Sequence, residues 1–285
     1  MRRFSHYDIA YRINGEEEYK LVNPPEYGWT ADPFLVKYGG EILLFAEIFL
    51  YKSERNGVIG YCRYDGDSFG EWVVSMDRHW HLSYPNVFVK NDKLYMIPES
   101  YQLGEVVLYE LVEFPDKWKK VRSYISDVEY CDTTLLDYKD GNSYMFTFER
   151  MEKNPGGKGF IYKIGKEDIF DKHLFSESLL GARCGGKVIV RDNKYIRVGQ
   201  NSVREYGAGL VFYEIDSVSP EYKEHEIKRL NPEDIKVNSE KEYTGLHTYN
   251  ELNGIEVIDL KYFSSTQEEE EASDRTRKVF LNKYD

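Results

Sequence analysis

Polar side chains recur at two equivalent points of five similar segments in this 285-residue chain. Each segment begins with a short polar cluster, followed by an apolar run, a turn and a second apolar run. The first apolar runs begin at these residues: Asp32, Tyr84, Asp132, Arg183 and His247. The second apolar runs end at these residues: Glu47, Glu99, Glu149 and Gln200. Carboxylates close to an arginine and a histidine can exchange protons and bind hydroxyl groups, so these residue types favour a reactive or sugar-binding site.

Each of these residues also has a structural explanation when it is considered alone. Asp32, which precedes a proline, could start a turn, and Asp132 could bond the local backbone. His247 could be a buried core histidine, and the glutamates could pair with arginines between neighbouring sheets. The shared position favours a ligand site, because burying several carboxylates for stability alone is costly.

The elements that must position these residues are hairpins that repeat about every 50 residues. The segments start near residues 31, 84, 131, 182 and 247, and each has turn residues typical of tight hairpins: Gly39-Gly40, Asn91-Asp92, Asp140-Gly141, Asp192-Asn193 and Asn253-Gly254. Two further strand-like runs follow each of the first four hairpins. This pattern predicts an all-β fold, a five-bladed β-propeller with four-stranded antiparallel blades around a central funnel. The starts of the first strands and the ends of the second strands then meet at one funnel mouth.

The ends of the chain are predicted to complete the fifth blade, which lacks clear outer strands. The available segments are DIAYRI (residues 8–13) and YKLVNP (19–24) near the N-terminus, and RKVFLNKY (277–284) near the C-terminus. Residues 266–276 are interpreted as a solvated acidic loop. Only KEDIFDKH (166–173) could form a helical turn, and no linker is evident, so we expect a single domain over residues 1–285.

Composition limits the classes of partner. The net charge of −12 disfavours nucleic acid, and 41% hydrophobic residues are enough for a buried core. The three cysteines lack metal-ligand spacing, so the sequence predicts no metal and no cofactor. The N-terminus has no apolar leader and no run is long enough to cross a bilayer, so no membrane span is expected and the cytoplasm is the predicted location.

The motifs ADPF, HLSYPNVF, YMIPES, DTTL, GARCGG and HTYN carry a family resemblance. The chain resembles the five-bladed propeller glycosidases of the arabinanase, xylosidase and invertase type. More closely, about residues 29 to 263 resemble the propeller-like N-terminal region of glucosamine inositolphosphorylceramide transferases and their bacterial relatives. The combination of motifs is more specific than any one of them.

The glycosidase resemblance implies catalytic roles for two residues and leaves a third role open. Asp32 matches the general base or nucleophile, and Asp132 matches the orienting carboxylate. Where arabinanase-like enzymes place their acid, this chain has Arg183, so Glu99 or Glu149 is predicted to supply the proton. Arg183 there suits an anionic group such as phosphate. Similarity to calcium-bearing arabinanases would place a cation near His247.

The predicted function is therefore action on a glycosidic bond, by hydrolysis, glycosyl transfer or phosphorolysis. Trp29 and Tyr84 are candidates for stacking on a sugar ring. The full set of predicted substrate-binding residues is Trp29, Glu47, His81, Tyr84, Arg150, Arg183, Gln200 and His247. Two alternatives stay open: a glycan-binding module that assists a separate glycosyltransferase in envelope glycan assembly, and a scaffold for protein partners.

Overall fold

The computed structural model describes residues 4–51, 57–151, 156–166 and 169–265. The first two strands are β1 (Phe4–Ile13) and β2 (Glu18–Leu21). They belong to blade five, whose other strands come last in the described chain. Blade one follows, with strands in the order β3 (Gly28–Tyr38), β4 (Glu41–Leu50), β5 (Gly57–Tyr64) and β6 (Val73–Met76). Its strands pair antiparallel from first to last.

Blades two and three repeat this order. Blade two contains β7 (Ser83–Lys90), β8 (Lys93–Glu99), β9 (Glu105–Glu113) and β10 (Lys117–Ser126), with a 3-10 turn at Tyr101–Leu103. Blade three contains β11 (Tyr130–Asp137), β12 (Ser143–Arg150), β13 (Gly157–Ile164) and β14 (Ile169–Ser176). The helical turn expected at 166–173 is wrong, because residues 169–173 pair with β13 as the outer strand.

Blades four and five each have a short additional strand. Blade four contains β15 (Leu180–Cys184), β16 (Ile189–Arg191), β17 (Lys194–Asn201), β18 (Gly209–Ser217) and β19 (Lys223–Leu230). A 3-10 turn at Pro232–Asp234 leads to β20 (Lys236–Val237), β21 (Tyr249–Leu252) and β22 (Ile255–Ser264). Blade five has the order β20-β2-β1-β22-β21. The five-bladed all-β propeller predicted from the repeats is confirmed.

The ring closes where the two ends of the described chain pair. Strand β1 pairs antiparallel with β22 over ten positions, from Phe4 opposite Ser264 to Ile13 opposite Ile255. The N-terminal segments therefore complete blade five, as predicted, and the sheet edge that β22 would expose is covered. The C-terminal segment 277–284 and the acidic loop at 266–276 lie outside the described residues, so those two predictions stay untested.

Four of the five predicted hairpin turns have the backbone conformation of a two-residue tight turn, whereas at Asp140-Gly141 only Gly141 has a positive φ. Both turn residues have positive φ at Gly39-Gly40, Asn91-Asp92, Asp192-Asn193 and Asn253-Gly254. That combination matches the right-handed twist of the adjoining strands, which is why Gly and Asn stand there. These turns all lie on the face of the ring opposite the funnel, because each joins the far end of a first strand to the second strand.

Close contacts between blades surround Gly186, just after the end of β15. A Cβ at Gly186 would lie 1.9 Å from the Tyr249 carbonyl oxygen, so only glycine fits this close approach. The Tyr84 hydroxyl, from blade two, accepts from the Gly186 N–H at 2.7 Å and lies 2.8 Å from the Thr134 hydroxyl of blade three. Three blades are thus joined on the axis. Among the described residues, no helix has the length and apolar character needed to span a membrane.

Candidate functional site

A β-bulge at the start of each of the first three inner strands places a side chain at the funnel. The register jumps between Ala31 and Phe34, between Ser83 and Asn86, and between Cys131 and Thr134. The bulged residues Asp32, Tyr84 and Asp132 have φ values of 53°, 42° and 50°. Side-chain-bearing residues rarely adopt this conformation, which costs about 1–3 kcal/mol each, so such strain is found where a site requires it.

Carboxylates of neighbouring blades stabilise these strained residues through their backbone N–H groups. The Asp32 N–H donates to Asp259 Oδ2 at 3.1 Å, and the Tyr84 N–H donates to Asp32 Oδ2 at 3.1 Å. The Asp132 N–H donates to Glu99 Oε2 at 3.3 Å. Charge-assisted hydrogen bonds of this kind are stronger than neutral ones, so the blades hold one another's funnel residues in place.

Asp32, His247 and Asp259 form one buried cluster at the junction of blades one and five. His247 Nδ1 lies 2.5 Å from Asp259 Oδ2, and its Nε2 lies 3.7 Å from Asp32 Oδ1. The Thr248 hydroxyl donates to Asp32 Oδ1 at 2.7 Å. Burial raises the pKa of Asp32 to about 6, although His247 opposes this increase. Asp32 is therefore an ionised carboxylate with basic character near neutral pH.

The charges of this cluster support an ion pair between His247 and Asp259. Burial opposes the charge on His247, but Asp259 and then Asp32 attract it, and the net effect raises the pKa of His247. Burial also disfavours the charge on Asp259, yet His247 lowers its pKa overall. The rings of Tyr7, stacked at 4.5 Å, and Tyr206, edge-on at 5.4 Å, enclose His247 from two sides.

Arg183 joins the carboxylates of blades two and three. Its Nε donates to Asp132 Oδ2, and its Nη2 lies 3.2 Å from Asp132 Oδ1 and 3.3 Å from Glu99 Oε2. Gln200 Nε2 donates to Asp132 Oδ2 at 2.7 Å. These contacts fix the orientation of the Asp132 carboxylate. Arg183 is not the free anion-binding group expected from the sequence, because two carboxylates already occupy its guanidinium.

The pKa of Glu99 is raised even though Arg183 contacts its carboxylate. Burial and the neighbouring charge of Asp132 raise the pKa of Glu99 well above its ordinary value, and Arg183 only reduces this increase. Arg183 does lower the pKa of Glu99, but burial and Asp132 have the larger effect. Desolvation and surplus negative charge outweigh one arginine at this point of the funnel.

Glu47 is the funnel carboxyl with the fewest partners. Its Oε1 is buried and has no hydrogen-bond partner among the described residues, and His81 Nε2 lies 3.5 Å away. Burial, followed by the charges of Asp32 and Glu99, raises the pKa of Glu47 well above its ordinary value. Burial and then Arg150 lower the pKa of His81 to about 4, so His81 is neutral near pH 7 and offers Glu47 no counter-charge.

Glu149 is not placed as the sequence suggested. Glu149 stands opposite Tyr130, whereas Phe148 takes the register position that Glu47 and Glu99 occupy in blades one and two. Because successive side chains on a strand point to opposite faces, this offset of one residue turns Glu149 away from the position of the other two glutamates. Phe148 instead lies under the Arg183 guanidinium, with a distance of 5.7 Å to the ring centroid.

The two aromatic residues predicted to stack on sugar are already engaged. Trp29 lies against Phe49 at 4.6 Å and an interplanar angle of 8°, and against His6 at 5.6 Å and 23°. Tyr84 is fully buried, and its hydroxyl contacts Gly186. Both rings therefore already pack against other groups of the protein. Arg150 borders the site only indirectly, over the ring of Tyr101 at 4.8 Å.

Sequence analysis missed Asp259, Tyr7 and Tyr206. Asp259 is fully buried in β22, and a lone aspartate within the apolar run IEVIDLKYF was the signal that could have identified it. Tyr206 lies on the connection between β17 and β18, 5.1 Å from the Arg183 guanidinium, and no pattern marks it. Asp32, His247 and Asp259 are also the group of described residues whose ligand atoms lie close enough to hold a metal ion, within 4.8 Å of one another.

Comparison with known proteins connects this chain to one family. The family model described as "Glucosamine inositolphosphorylceramide transferase 1, N-terminal" matches residues 23–260. Glucosamine inositolphosphorylceramide transferase 1 of Oryza sativa subsp. indica is 32% identical over 219 residues, and that of Arabidopsis thaliana is 31% identical over 229 residues. These alignments cover 71% and 70% of this chain but only 29% and 27% of the relatives' length.

Solved structures show the same fold at low sequence identity. An α-L-arabinofuranosidase from Podospora anserina has a TM-score of 0.61 at 8% identity, over 90% of this chain and 98% of that chain. A β-xylosidase/α-arabinofuranosidase from a compost metagenome has a TM-score of 0.57 at 11% identity, over 89% and 94%. At these identities the likeness concerns the five-bladed fold alone.

Proposed function

Because this chain belongs to the family of the N-terminal region of glucosamine inositolphosphorylceramide transferase 1, we propose that its funnel binds a carbohydrate and acts on a glycosidic bond. One observation carries this proposal. Both Asp32 and Glu47 are buried in blade one, but Asp32 has a pKa of about 6, whereas Glu47 has a pKa raised well above its ordinary value and an oxygen without a hydrogen-bond partner among the described residues. Two carboxyl groups of different acidity are what general base and general acid catalysis of glycosidic cleavage require.

The roles follow from the contacts. Glu47 donates its proton to the glycosidic oxygen as the bond from that oxygen to the anomeric carbon breaks. Water or an acceptor hydroxyl attacks the anomeric carbon and passes its proton to Asp32. The Thr248 hydroxyl and the Tyr84 N–H hold Asp32 in place, each through a different carboxylate oxygen. Proton exchange with solvent then restores both carboxyl groups.

Asp132 and Arg183 are positioning residues in this scheme. Arg183 bridges Asp132 and Glu99, so it fixes the wall of the funnel across blades two, three and four. Glu99, predicted from the sequence as an acid, shares its Oε2 with Arg183 and the Asp132 N–H. Glu47 lacks such partners, which favours it as the proton donor.

The test is product formation from a panel of glycosides and oligosaccharides, with and without inorganic phosphate. Asp32→Asn and Glu47→Gln should each lower kcat about 10²–10⁴-fold. The matched control is Asp216→Asn, an exposed carboxylate that contacts His225 on the outer strands of blade four and should leave turnover unchanged. A dependence on phosphate would identify phosphorolysis. Full turnover by Asp32→Asn on a true substrate would refute these roles.

A second candidate function is a glycan-binding module without turnover. The observation in its favour is that the relatives align with this chain over only 27–29% of their length, so their named activity can reside elsewhere. Calorimetric titration with the same oligosaccharides distinguishes the two functions. Saturable binding that Asp32→Asn and Glu47→Gln retain, with no product from the unmodified protein, would favour the binding module.

A further inference from the structure

Lys187 lies near the ring axis on the side opposite the funnel carboxylates and has no ion-pair partner in the described part of the chain. It directly follows Gly186, whose carbonyl and N–H contact Tyr84 above it. Lys187 Nζ donates to the carbonyl oxygen of Leu35, in blade one, at 2.7 Å. The Lys187 N–H donates to Asn250 Oδ1 at 2.9 Å, so blades one, four and five together hold this residue.

The charge of Lys187 is poorly compensated at this position. Loss of hydration lowers the pKa of Lys187 to about 7, and no carboxylate counters the effect. Within the described ranges its Nζ donates to a neutral carbonyl group, and an ammonium group without a counter-ion is costly to keep out of water. A ligand with a negative charge would supply the missing partner.

Lys187 and Val188 form the inner end of a cavity of about 480 Å³ between blades two and three. One part of the wall is apolar and aromatic, formed by Phe88, Tyr95, Leu108, Tyr124 and Leu135. Of the polar groups in the walls, Asn86 donates to the Thr133 carbonyl and the Asp137 carboxylate accepts from Ser143, while Lys90 is an exposed lysine at the cavity. The volume lies within the usual range for small-molecule sites.

A second cavity of about 480 Å³ also reaches Lys187, between blades four and five, but its lining is more polar. Ion pairs occupy the charges there, including Arg191 with Glu251 at 2.8 Å. The cavity between blades two and three therefore offers both an apolar wall and an amino group that has no ion-pair partner among the described residues.

From this arrangement we propose that the cavity between blades two and three binds a small amphipathic organic anion, with its negative group on Lys187 and its apolar body against the aromatic wall. The net charge of −12 repels anions from the protein as a whole, so preference for an anion here requires a local cation. The site is separate from the funnel and does not depend on the proposed catalytic function.

Two fluorescent probes with the same aromatic body test this site: 8-anilinonaphthalene-1-sulfonate, which is an anion, and N-phenyl-1-naphthylamine, which is neutral. Lys187→Met should weaken sulfonate binding about tenfold or more and change the affinity for the neutral probe less than about twofold. Lys223→Met, an exposed lysine on the outer strand of blade four, is the control and should change neither affinity. Equal affinity of Lys187→Met and the unmodified protein for the sulfonate, or an equal loss for both probes, would overturn the proposal.

A pair of charge variants at the exposed Val121 keeps the test informative if Lys187→Met does not fold. Val121 is 47% exposed and lines the cavity, so its substitution should not disturb the core. Val121→Glu should weaken sulfonate binding and Val121→Lys should strengthen it, with no change for the neutral probe. Sulfonate affinities that do not differ between these two variants would place the probe elsewhere and reject the site.

Discussion

Arg183 and Arg197 lie on neighbouring strands of blade four but differ in the balance of charges around them. Arg197, in β17, is 1% exposed, and its Nε and Nη2 donate to the two carboxylate oxygens of Glu224 while Nη1 donates to the Gly181 carbonyl. Arg183 instead faces a funnel where carboxylates outnumber cations: Asp32, Glu47, Glu99, Asp132 and Asp259. A balanced pair serves stability, whereas surplus buried acid keeps carboxyl groups at raised pKa and so available for proton transfer.

The largest expected effect is a loss of stability when the ion pair between Arg197 and Glu224 is broken. Arg197→Met should lower the free energy of unfolding by about 3–5 kcal/mol, because it leaves Glu224 without its partner in a largely buried position. The measurement is urea denaturation followed by circular dichroism. A loss below about 1 kcal/mol would show that the pair contributes little and would remove the basis of the comparison.

The second effect is a pH dependence that the surplus acid imposes on stability. The folded-state pKa of Asp32, about 6, lies above its ordinary value of 3.8, so its contribution to stability is complete below pH 3.8 and is lost as the pH rises through about 6. Relative to Asp32→Asn, the unmodified protein should lose roughly 2–3 kcal/mol between pH 4 and pH 7. Parallel stability curves for the two proteins over this range would contradict the raised pKa.

Arg183→Met should cost less stability than Arg197→Met, about 1–2 kcal/mol. Gln200 still donates to Asp132, and Glu99 can take up a proton because its pKa is already raised. Oligosaccharide binding in the funnel should nevertheless be lost, because the wall between blades two and four loses its bridge. Denaturation and calorimetric titration of the same variant separate the two consequences, and equal destabilisation by both arginine variants would break the comparison.

The smallest expected effect separates the contribution of burial to an ion pair's energy from the contribution of its contact geometry. Arg191 also binds a carboxylate through two contacts, to Glu251 at 2.8 and 2.9 Å, but its side chain is 61% exposed. Arg191→Met should change the free energy of unfolding by about 0.5 kcal/mol or less, because water already solvates both charges. A change as large as that of Arg197→Met would mean that contact geometry, not desolvation, determines the energy.

The sequence was sufficient for the fold because local signals agreed with one another. Turn residues such as Asn253-Gly254 specify tight hairpins, and their repetition specifies blades. Equivalent positions in the repeat also brought Asp32, Asp132 and His247 to one site. The repeat failed at Glu149, because an offset of one residue in a strand reverses a side chain and leaves the composition unchanged.

What could not be predicted is mostly pairing between distant segments. Asp259 acts on Asp32 from 227 positions along the chain, and only the closed ring brings them together. The engagement of Arg183 by Asp132 and Glu99, and of Trp29 by Phe49, likewise depends on the tilt and spacing of blades. Residue type identified these groups as candidates, but their partners decide whether they remain free to bind a ligand.

The pairing of Phe4 with Ser264 has a consequence for fused or tethered partners. β22 runs from its hairpin, on the face opposite the funnel, toward the funnel face. The first residue of β1 and the last residue of β22 therefore both lie at the funnel rim. The chain therefore enters the first strand and leaves the last one beside the funnel mouth. A short flexible tether from there gives an effective concentration in the millimolar range, enough to pass a glycan or its product between two sites that bind it weakly.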